Sequence, residues 1–277
     1  MSAVTIEKID PQDAATRQRV WEFLAPSESR AMFILGNLRG NTPSTHMYAA
    51  SRGGHWLGVA AYYERYKSIV PFSLEPGVVR TLTRHLAEHH PLIEWLNGWQ
   101  DIAGPALEEL LLLGYESCRD PRQVFMELDG LPPDQPWEHA CRLIAPDDAL
   151  AVARVLRHLQ QIDPDAPITA EDIAKVRGNP QRYVAEHDGA IVSTAATSGL
   201  AITACQIIGV ATDPGFRRRG FARSVCAALI RHMAAKGASR TVLFTDVNNV
   251  TAQRCYQGLG FRITAPYCLA QFKLPAH

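Results

Sequence analysis

The sequence has few of the features that mark membrane, secreted or nucleic-acid-binding proteins. Its formal net charge is zero, with 28 Lys and Arg against 28 Asp and Glu, so we expect no affinity for nucleic acid or for anionic membranes. No apolar run approaches the roughly 18 residues of a membrane span. The first residues, Met1 to Glu7, lack a basic region followed by an apolar stretch, which predicts no secretory signal and a cytoplasmic protein.

Signals for disulfides and metals are also lacking. The six cysteines form no CxxC pair and lie in apolar or mixed segments, so we expect reduced, partly buried thiols. The adjacent pair His89-His90 shows no Cys or carboxylate ligand pattern around it and predicts a solvated helix end. The sequence therefore predicts no metal site. The cysteines are Cys118, Cys141, Cys205, Cys226, Cys255 and Cys268.

Length and composition favour an ordinary globular enzyme of two modest domains. The chain has 277 residues, of which 47% are apolar and 20% charged, enough apolar residues for a core and unlike a disordered chain. The turn-rich stretch from Asp129 to Pro136 is the candidate boundary. We expect domains at residues 1–130 and 137–277.

Two familiar phosphate-binding loops are missing, because the chain has neither GxxxxGK[ST] nor a correctly spaced GxGxxG. What it has is the stretch from Gln206 to Ala222. An apolar run ends at Asp213-Pro214, three arginines follow, and Gly220 opens a segment whose apolar residues have helical spacing. The unit predicted is strand, basic turn, helix.

The start of that helix suits a phosphate. Its first backbone N–H groups lack helical partners, the helix dipole is positive there, and Gly220 allows close approach of the backbone. Arginines add bidentate donors and charge. A basic turn before a helix is also a common solvated cap, so this segment alone leaves both interpretations open.

A second segment favours the phosphate site. Thr241 to Thr245 is predicted to be a short buried strand. Asn248-Asn249 then offers a helix cap, and Ala252 and Tyr256 share a face because they are four residues apart. Leu259-Gly260-Phe261 follows.

Together these segments resemble the GNAT family of acetyltransferases. The first matches its RxxGxA motif with Arg217, Gly220 and Ala222, and the second its NxxAxxxY pattern followed by LGF. The resemblance covers residues 140–274 and implies an α/β fold with a mixed sheet, in which the strand before the loop splays from its neighbour.

The resemblance implies acetyl-CoA as co-substrate and a primary amine, in a small molecule or peptide, as acceptor. The splayed strand would pair with the pantetheine arm, the loop would hold the pyrophosphate, and Tyr256 would serve as the acid facing the sulfur. Asp246, Glu186 and His187 are the candidate bases, and none is preferred over a water chain. The cofactor-binding residues implied are Val210, Ala211, Thr212, Arg217, Arg218, Arg219, Gly220, Phe221, Ala222, Arg223, Asn249 and Ala252.

The first half shows signs of being a degenerate copy. Ala106 stands seven residues before Leu113-Gly114-Tyr115, as Ala252 does before Leu259-Gly260-Phe261. No RxxGxA follows Gly77, and Leu110 occupies the position that corresponds to Tyr256. We therefore expect two tandem GNAT-like domains, of which only the second binds acetyl-CoA.

Other functions stay open. A non-catalytic acyl-CoA-binding or regulatory module would use the same loop, and an N-acyltransferase for a longer acyl-CoA would use the same fold. The acceptor is not readable from the sequence, and both a monomer and a homodimer fit.

Overall fold

The computed structural model describes residues 3–134, 139–160, 166–179 and 181–274. The predicted boundary from Asp129 to Pro136 therefore lies partly outside the described residues. The chain divides into two compact units. Unit 1 consists of Met1–Phe125, Phe244–Asn248 and Thr264–His277, and unit 2 of Met126–Leu243 and Asn249–Ile263.

The first ten elements of the chain begin in unit 1. In chain order they are β1 (Thr5–Ile9), α1 (Ala14–Leu24), α2 (Glu28–Arg39), β2 (Thr45–Arg52), β3 (His55–Tyr63), β4 (Ser68–Ser73), α3 (Pro76–His89), β5 (Trp95–Trp99), α4 (Gln100–Leu112) and β6 (Arg122–Asp129). Helix α3 is amphipathic and buries a face that includes Val78, Leu82 and Leu86.

The second set of elements repeats that order. It consists of β7 (Cys141–Leu143), α5 (Ala149–Gln160), α6 (Ala170–Arg177), β8 (Arg182–His187), β9 (Ala190–Leu200), β10 (Ala204–Thr212), α7 (Phe221–Ala235), β11 (Arg240–Asp246), α8 (Val250–Gln257) and β12 (Arg262–Gln271). Both sets run β-α-α-β-β-β-α-β-α-β, which agrees with the internal repeat expected from the sequence.

The sheet of unit 1 has the strand order β1-β2-β3-β4-β5-β12. Its pairs are antiparallel except β4 with β5, which are parallel. The last strand belongs in part to this sheet, although the family resemblance covers it as part of the second half of the chain. Residues Tyr267–Gln271 pair with Trp95–Trp99, and Tyr267 stacks on Phe125 and donates a hydrogen bond to Asn97.

The sheet of unit 2 has the order β6-β11-β10-β9-β8-β7 and contains Met126–Asp129 of β6. Strands β10 and β11 are parallel, whereas β10, β9, β8 and β7 pair antiparallel in turn. Asp-Gly between two strands is a strong signal for a hairpin turn, and β8 and β9 form such a hairpin, with Asp188 and Gly189 both at positive φ in its turn.

Helix α7 is the main cover of unit 2 near the basic turn. Its predicted apolar stripe is buried. Thr169, a residue type that commonly caps helices, caps α6 by accepting a hydrogen bond from the Asp172 backbone N–H at 3.1 Å. All six cysteines are free thiols. Among the described residues no helix combines the length and apolarity that crossing a membrane requires.

Candidate functional site

Strand β10 is interrupted by a bulge just before the predicted cofactor segment. Its register with β9 shifts between Ile208 and Ala211, so that β10 carries one more residue than its partner there. Gly209 lies in this interval with φ 57°, a conformation that glycine adopts without the penalty of a Cβ. The bulge turns the main chain of Gly209 and Val210 out of the regular ladder.

The other side of β10 is paired with β11 over a short length. The parallel register covers Ala204–Gln206 of β10 and Arg240–Val242 of β11 and, within the described residues, does not extend to Ile207–Thr212. On the side that faces β9 this part of the strand is hydrogen-bonded, since the Ser193 hydroxyl donates to the Ala211 carbonyl at 2.9 Å. The strand thus splays from β11 as the resemblance implied, and its main chain is available for an extended ligand.

The backbone conformation of the basic turn is set by a short hydrogen-bonded turn and by two residues with positive φ. Asp213 accepts a hydrogen bond from the Gly215 N–H at 2.9 Å and begins a short 3-10 turn over Pro214–Phe216. Arg218 has φ 62° and Gly220 has φ 86°. Left-handed residues in such a turn aim successive N–H groups into one concavity that binds anions.

Helix α7 then begins without a side-chain cap. Gly220 is its N-cap residue and makes no side-chain hydrogen bond to the first turn. The first N–H groups of a helix need acceptors, and the predicted ligand positions Phe221, Ala222 and Arg223 are that first turn. Phe221 itself is 1% exposed, so only its main chain can serve a ligand.

The three consecutive arginines are exposed. Arg217 donates its Nε–H to the Thr212 carbonyl at 3.2 Å, and the Arg219 guanidinium lies 5.4 Å from the Phe216 ring centroid. These contacts orient two charges around the turn, and phosphate groups are the ligands that such a set of arginines suits.

Two histidines that the sequence did not assign to the turn support it. His139 stacks on Phe221 with ring centroids 3.6 Å apart and donates Nε2–H to the Arg219 carbonyl at 2.6 Å. His187 contacts Phe216 and Phe221 edge to face. No sequence spacing reveals the His139 contact, because its hydrogen-bond partner is 80 residues away.

Helix α8 carries the second set of predicted residues. The Asn249 side chain accepts a hydrogen bond from the Ala252 N–H at 3.1 Å, so Asn249 is the cap of the two asparagines considered. Ala252 is half-buried. Helix α8 lies against α7, since a Cβ on Gly258 would be 3.6 Å from Arg223 Cδ.

We expect the cap to matter for stability. Within the described residues, the Asn249 side chain is the one that caps the first turn of α8. Asn249→Ala removes this acceptor and should lower the free energy of unfolding by about 1 kcal/mol. Urea unfolding measures this loss. The neighbouring Asn248→Ala is the control, because the hydrogen bond of Asn248 to Asp246 uses its backbone N–H. An equal loss in both variants would contradict the assignment.

Tyr256 is 8% exposed and its ring meets Phe261 edge to face. Burial raises the pKa of its phenol well above the usual value, and the nearby thiols of Cys226 and Cys255 add to the rise. The phenol therefore stays protonated at neutral pH, which is the state a donor requires.

The candidate bases are occupied by local contacts. Glu186 pairs with Arg142, whose Nε lies 3.0 Å from the carboxylate. Asp246 accepts the Asn248 N–H at 2.7 Å and behaves as a turn residue, and His187 packs on the aromatic rings already described. None of the three stands out as a base.

Arg182 lies near the bulge and has no role in the sequence-based predictions. It is 5% exposed, and both of its terminal nitrogens lie 3.6 Å from the position a Cβ would take on Gly209. Burial lowers the pKa of this arginine to about 10, so it still carries its charge at neutral pH.

The comparisons with known proteins agree with this geometry. Residues 137–261 match the Acetyltransferase (GNAT) family. A mycothiol acetyltransferase of Frankia casuarinae is 30% identical over 109 residues, which is 34% of this chain and 32% of that protein. The chain thus spans about a third of the length of that relative.

Solved structures share the fold. A GCN5-related N-acetyltransferase from Sphaerobacter thermophilus has a TM-score of 0.65 at 17% identity and covers 99% of this chain and 97% of its own. A tandem GNAT protein from the clavulanic acid biosynthesis pathway has a TM-score of 0.60 at 14% identity, covering 99% and 100%. The predicted tandem α/β fold is therefore confirmed, and residues 137–261 belong to the GNAT family of acetyltransferases.

Proposed function

We propose that the protein is an acetyl-CoA-dependent N-acetyltransferase that moves an acetyl group directly to a primary amine of a small molecule or peptide. The observation that carries the proposal is the continuous path in unit 2 from the bulged β10, through the left-handed turn at Arg218 and Gly220, to the uncapped start of α7. This path offers main-chain donors and acceptors for a pantetheine arm and then N–H groups and arginines for a pyrophosphate.

The thioester would lie beside the bulge. Attack by the amine produces a tetrahedral intermediate with a negative oxygen, and backbone N–H groups stabilise such an oxygen when they are already aimed at it. We place this donor within Val210–Thr212, where β10 has left its pairing with β11. The nitrogen gives up a proton to water or to a base, the C–S bond breaks, the acetyl group stays on nitrogen as an amide, and CoA departs as a thiolate.

Tyr256 would face this thiolate. A free thiol has a pKa of about 8.5, and the pKa of the buried phenol lies well above its own usual value. Complete proton transfer from the phenol to the sulfur is therefore uphill. We propose that Tyr256 acts by donating a hydrogen bond to the developing thiolate.

We assign this chemistry to residues 137–277 and propose that residues 1–130 bind no CoA. Strand β4 pairs with β3 in an unshifted register from Ser68 to Ser73, with no bulge such as that of β10. Helix α3 begins at Pro76 without a basic turn before it. Leu110, at the position that corresponds to Tyr256, is fully buried and has no proton to donate.

Isothermal titration with acetyl-CoA, CoA and a medium-chain acyl-CoA tests the proposal. One acetyl-CoA per chain is expected, followed by acetylation in a screen of amines that includes acceptors related to mycothiol, on account of the relatives with that name. Binding without turnover of any amine would favour a non-catalytic acyl-CoA-binding module. Preference for the medium-chain donor would favour an acyltransferase with a longer acyl group.

A further inference from the structure

We propose that the exposed face of α3 in unit 1 binds one divalent transition-metal ion of the Zn²⁺ class through His85, Glu88 and His89. One potential ligand atom from each residue lies within 4.8 Å of the others. This is a separate site from the one described in unit 2. The prediction of a solvated helix end rested on the adjacent pair His89-His90, whereas this site uses His85 and Glu88 in place of His90.

The spacing explains why the three side chains converge. Residues three and four apart on a helix project from the same face, and His85-Leu86-Ala87-Glu88-His89 has the His-x-x-Glu-His spacing in which one helix presents two histidines to zinc. The imidazole centroids of His85 and His89 are 4.1 Å apart with their planes at 30°.

The rings are also oriented for a metal. His89 donates its Nδ1–H to the His85 carbonyl at 2.8 Å, which directs the lone pair of Nε2 away from the helix. A hydrogen bond from one ring nitrogen commonly orients a metal-binding imidazole in this way. The Tyr48 ring packs edge to face on His85 at 4.8 Å and restricts its rotation.

The donor set selects the ion. Two imidazoles and a carboxylate suit Zn²⁺, Ni²⁺ or Cu²⁺ rather than Ca²⁺ or Mg²⁺, which prefer oxygen ligands alone. Zinc bonds of about 2.0–2.2 Å require the ligand atoms to move closer together. Glu88 and His89 are exposed and His85 is half-buried, so small side-chain rotations suffice. Three protein ligands leave one position for water.

The test uses untagged full-length protein. Titration with Co²⁺, followed by its visible absorption, and with Zn²⁺, followed by calorimetry, should show one ion per chain at micromolar affinity. His85→Gln and His89→Gln should each weaken binding about tenfold or more. His55→Gln is the control, because it removes an exposed histidine of β3 outside the cluster and should bind like the parent.

Equal binding by His85→Gln, His89→Gln and His55→Gln, or only millimolar affinity of the parent, would overturn the proposal. Circular dichroism should show all three variants folded, since each replaces a side chain that is exposed or half-buried. Acetyl-CoA binding should be the same in every variant, which keeps this test independent of the proposed transferase function.

A second observation concerns Arg182 and rests on the proposed function. We infer that Arg182 binds an anionic group of the amine acceptor. Its Nη1 donates to the Thr194 hydroxyl at 3.1 Å, while its buried Nε has no hydrogen-bond partner. No carboxylate pairs with it among the described residues. Buried charges in proteins are normally paired, and an anionic group of the acceptor would pair with this one.

The position of the guanidinium points to the acceptor. It lies against Gly209 together with Leu156 of α5, next to the segment where we place the acetyl thioester. A carboxylate or phosphate on the acceptor would accept two parallel hydrogen bonds from the guanidinium and would fix the amine relative to β10.

Matched pairs of acceptors distinguish the sources of the anion. One pair is an amino acid and its amide, and the other is a phosphorylated amine and its unphosphorylated form. The parent should show a kcat/KM about tenfold or more higher for the anionic member of one pair. The difference should come from a lower KM. Arg182→Met should lose that preference, and it should resist urea better because an unpaired buried charge has been removed.

Arg154→Met is the control, since Arg154 is an exposed arginine of α5 and its loss should leave the preference intact. Turnover by the parent without preference for an anionic acceptor, or a preference retained by Arg182→Met, would overturn this inference alone. Absence of acetyl-CoA-dependent turnover with every amine would overturn it together with the proposed function.

Discussion

Gly220→Glu is expected to abolish measurable acetyl-CoA binding. Gly220 is the N-cap residue of α7, next to the backbone N–H groups of the first helical turn, and makes no side-chain hydrogen bond to them. A carboxylate there would occupy the anion position and repel a pyrophosphate, removing the attraction that the helix start and the arginines provide. Calorimetric titration with acetyl-CoA measures the loss directly.

The substitution also strains the backbone, so it needs a matched control. Gly220 has φ 86°, and Gly237, just after the end of the same helix, has φ 98° with open space around it. A non-glycine residue in either place costs about 1–2 kcal/mol. Gly237→Glu should therefore match the loss of stability and keep acetyl-CoA binding. Micromolar binding by Gly220→Glu would contradict the phosphate site.

Tyr256→Phe is expected to lower kcat about 100-fold, the lower end of the loss found when one preorganised hydrogen-bond donor to a developing anion is removed. The change removes one oxygen from a ring that is 8% exposed and keeps its contact with Phe261. Acetyl-CoA affinity should therefore stay within about twofold of the parent value, since the thioester ground state makes little use of this donor. Steady-state kinetics and calorimetry separate the two effects.

Tyr183→Phe is the control for that change, because Tyr183 is a half-buried tyrosine of β8 outside the predicted site. Its kcat should equal that of the parent. An unchanged kcat in Tyr256→Phe would remove Tyr256 from the mechanism. Because the pKa of Tyr256 is raised, its ionisation should cause no loss of parent activity up to about pH 10.

Much of unit 2 could be predicted from local patterns. The stripe of apolar residues in α7 sets its buried face, Asp188-Gly189 predicts the hairpin, and Thr169 predicts the cap of α6. These features depend on residues only a few positions apart, so local sequence patterns are enough to predict them. The same holds for the basic turn, whose arginines, Gly220 and helix start are contiguous.

The tertiary structure decided what depends on distant residues. Pairing of Tyr267–Gln271 with β5, stacking of His139 on Phe221 and packing of Arg182 against Gly209 each join positions more than 25 residues apart. No local spacing encodes them. The sequence by itself determined the family resemblance and the phosphate-binding turn, because those motifs are local. The sheet that receives the last strand, the histidine support of the turn and the burial of Arg182 beside Gly209 follow from the packing of side chains, which only the folded chain brings together.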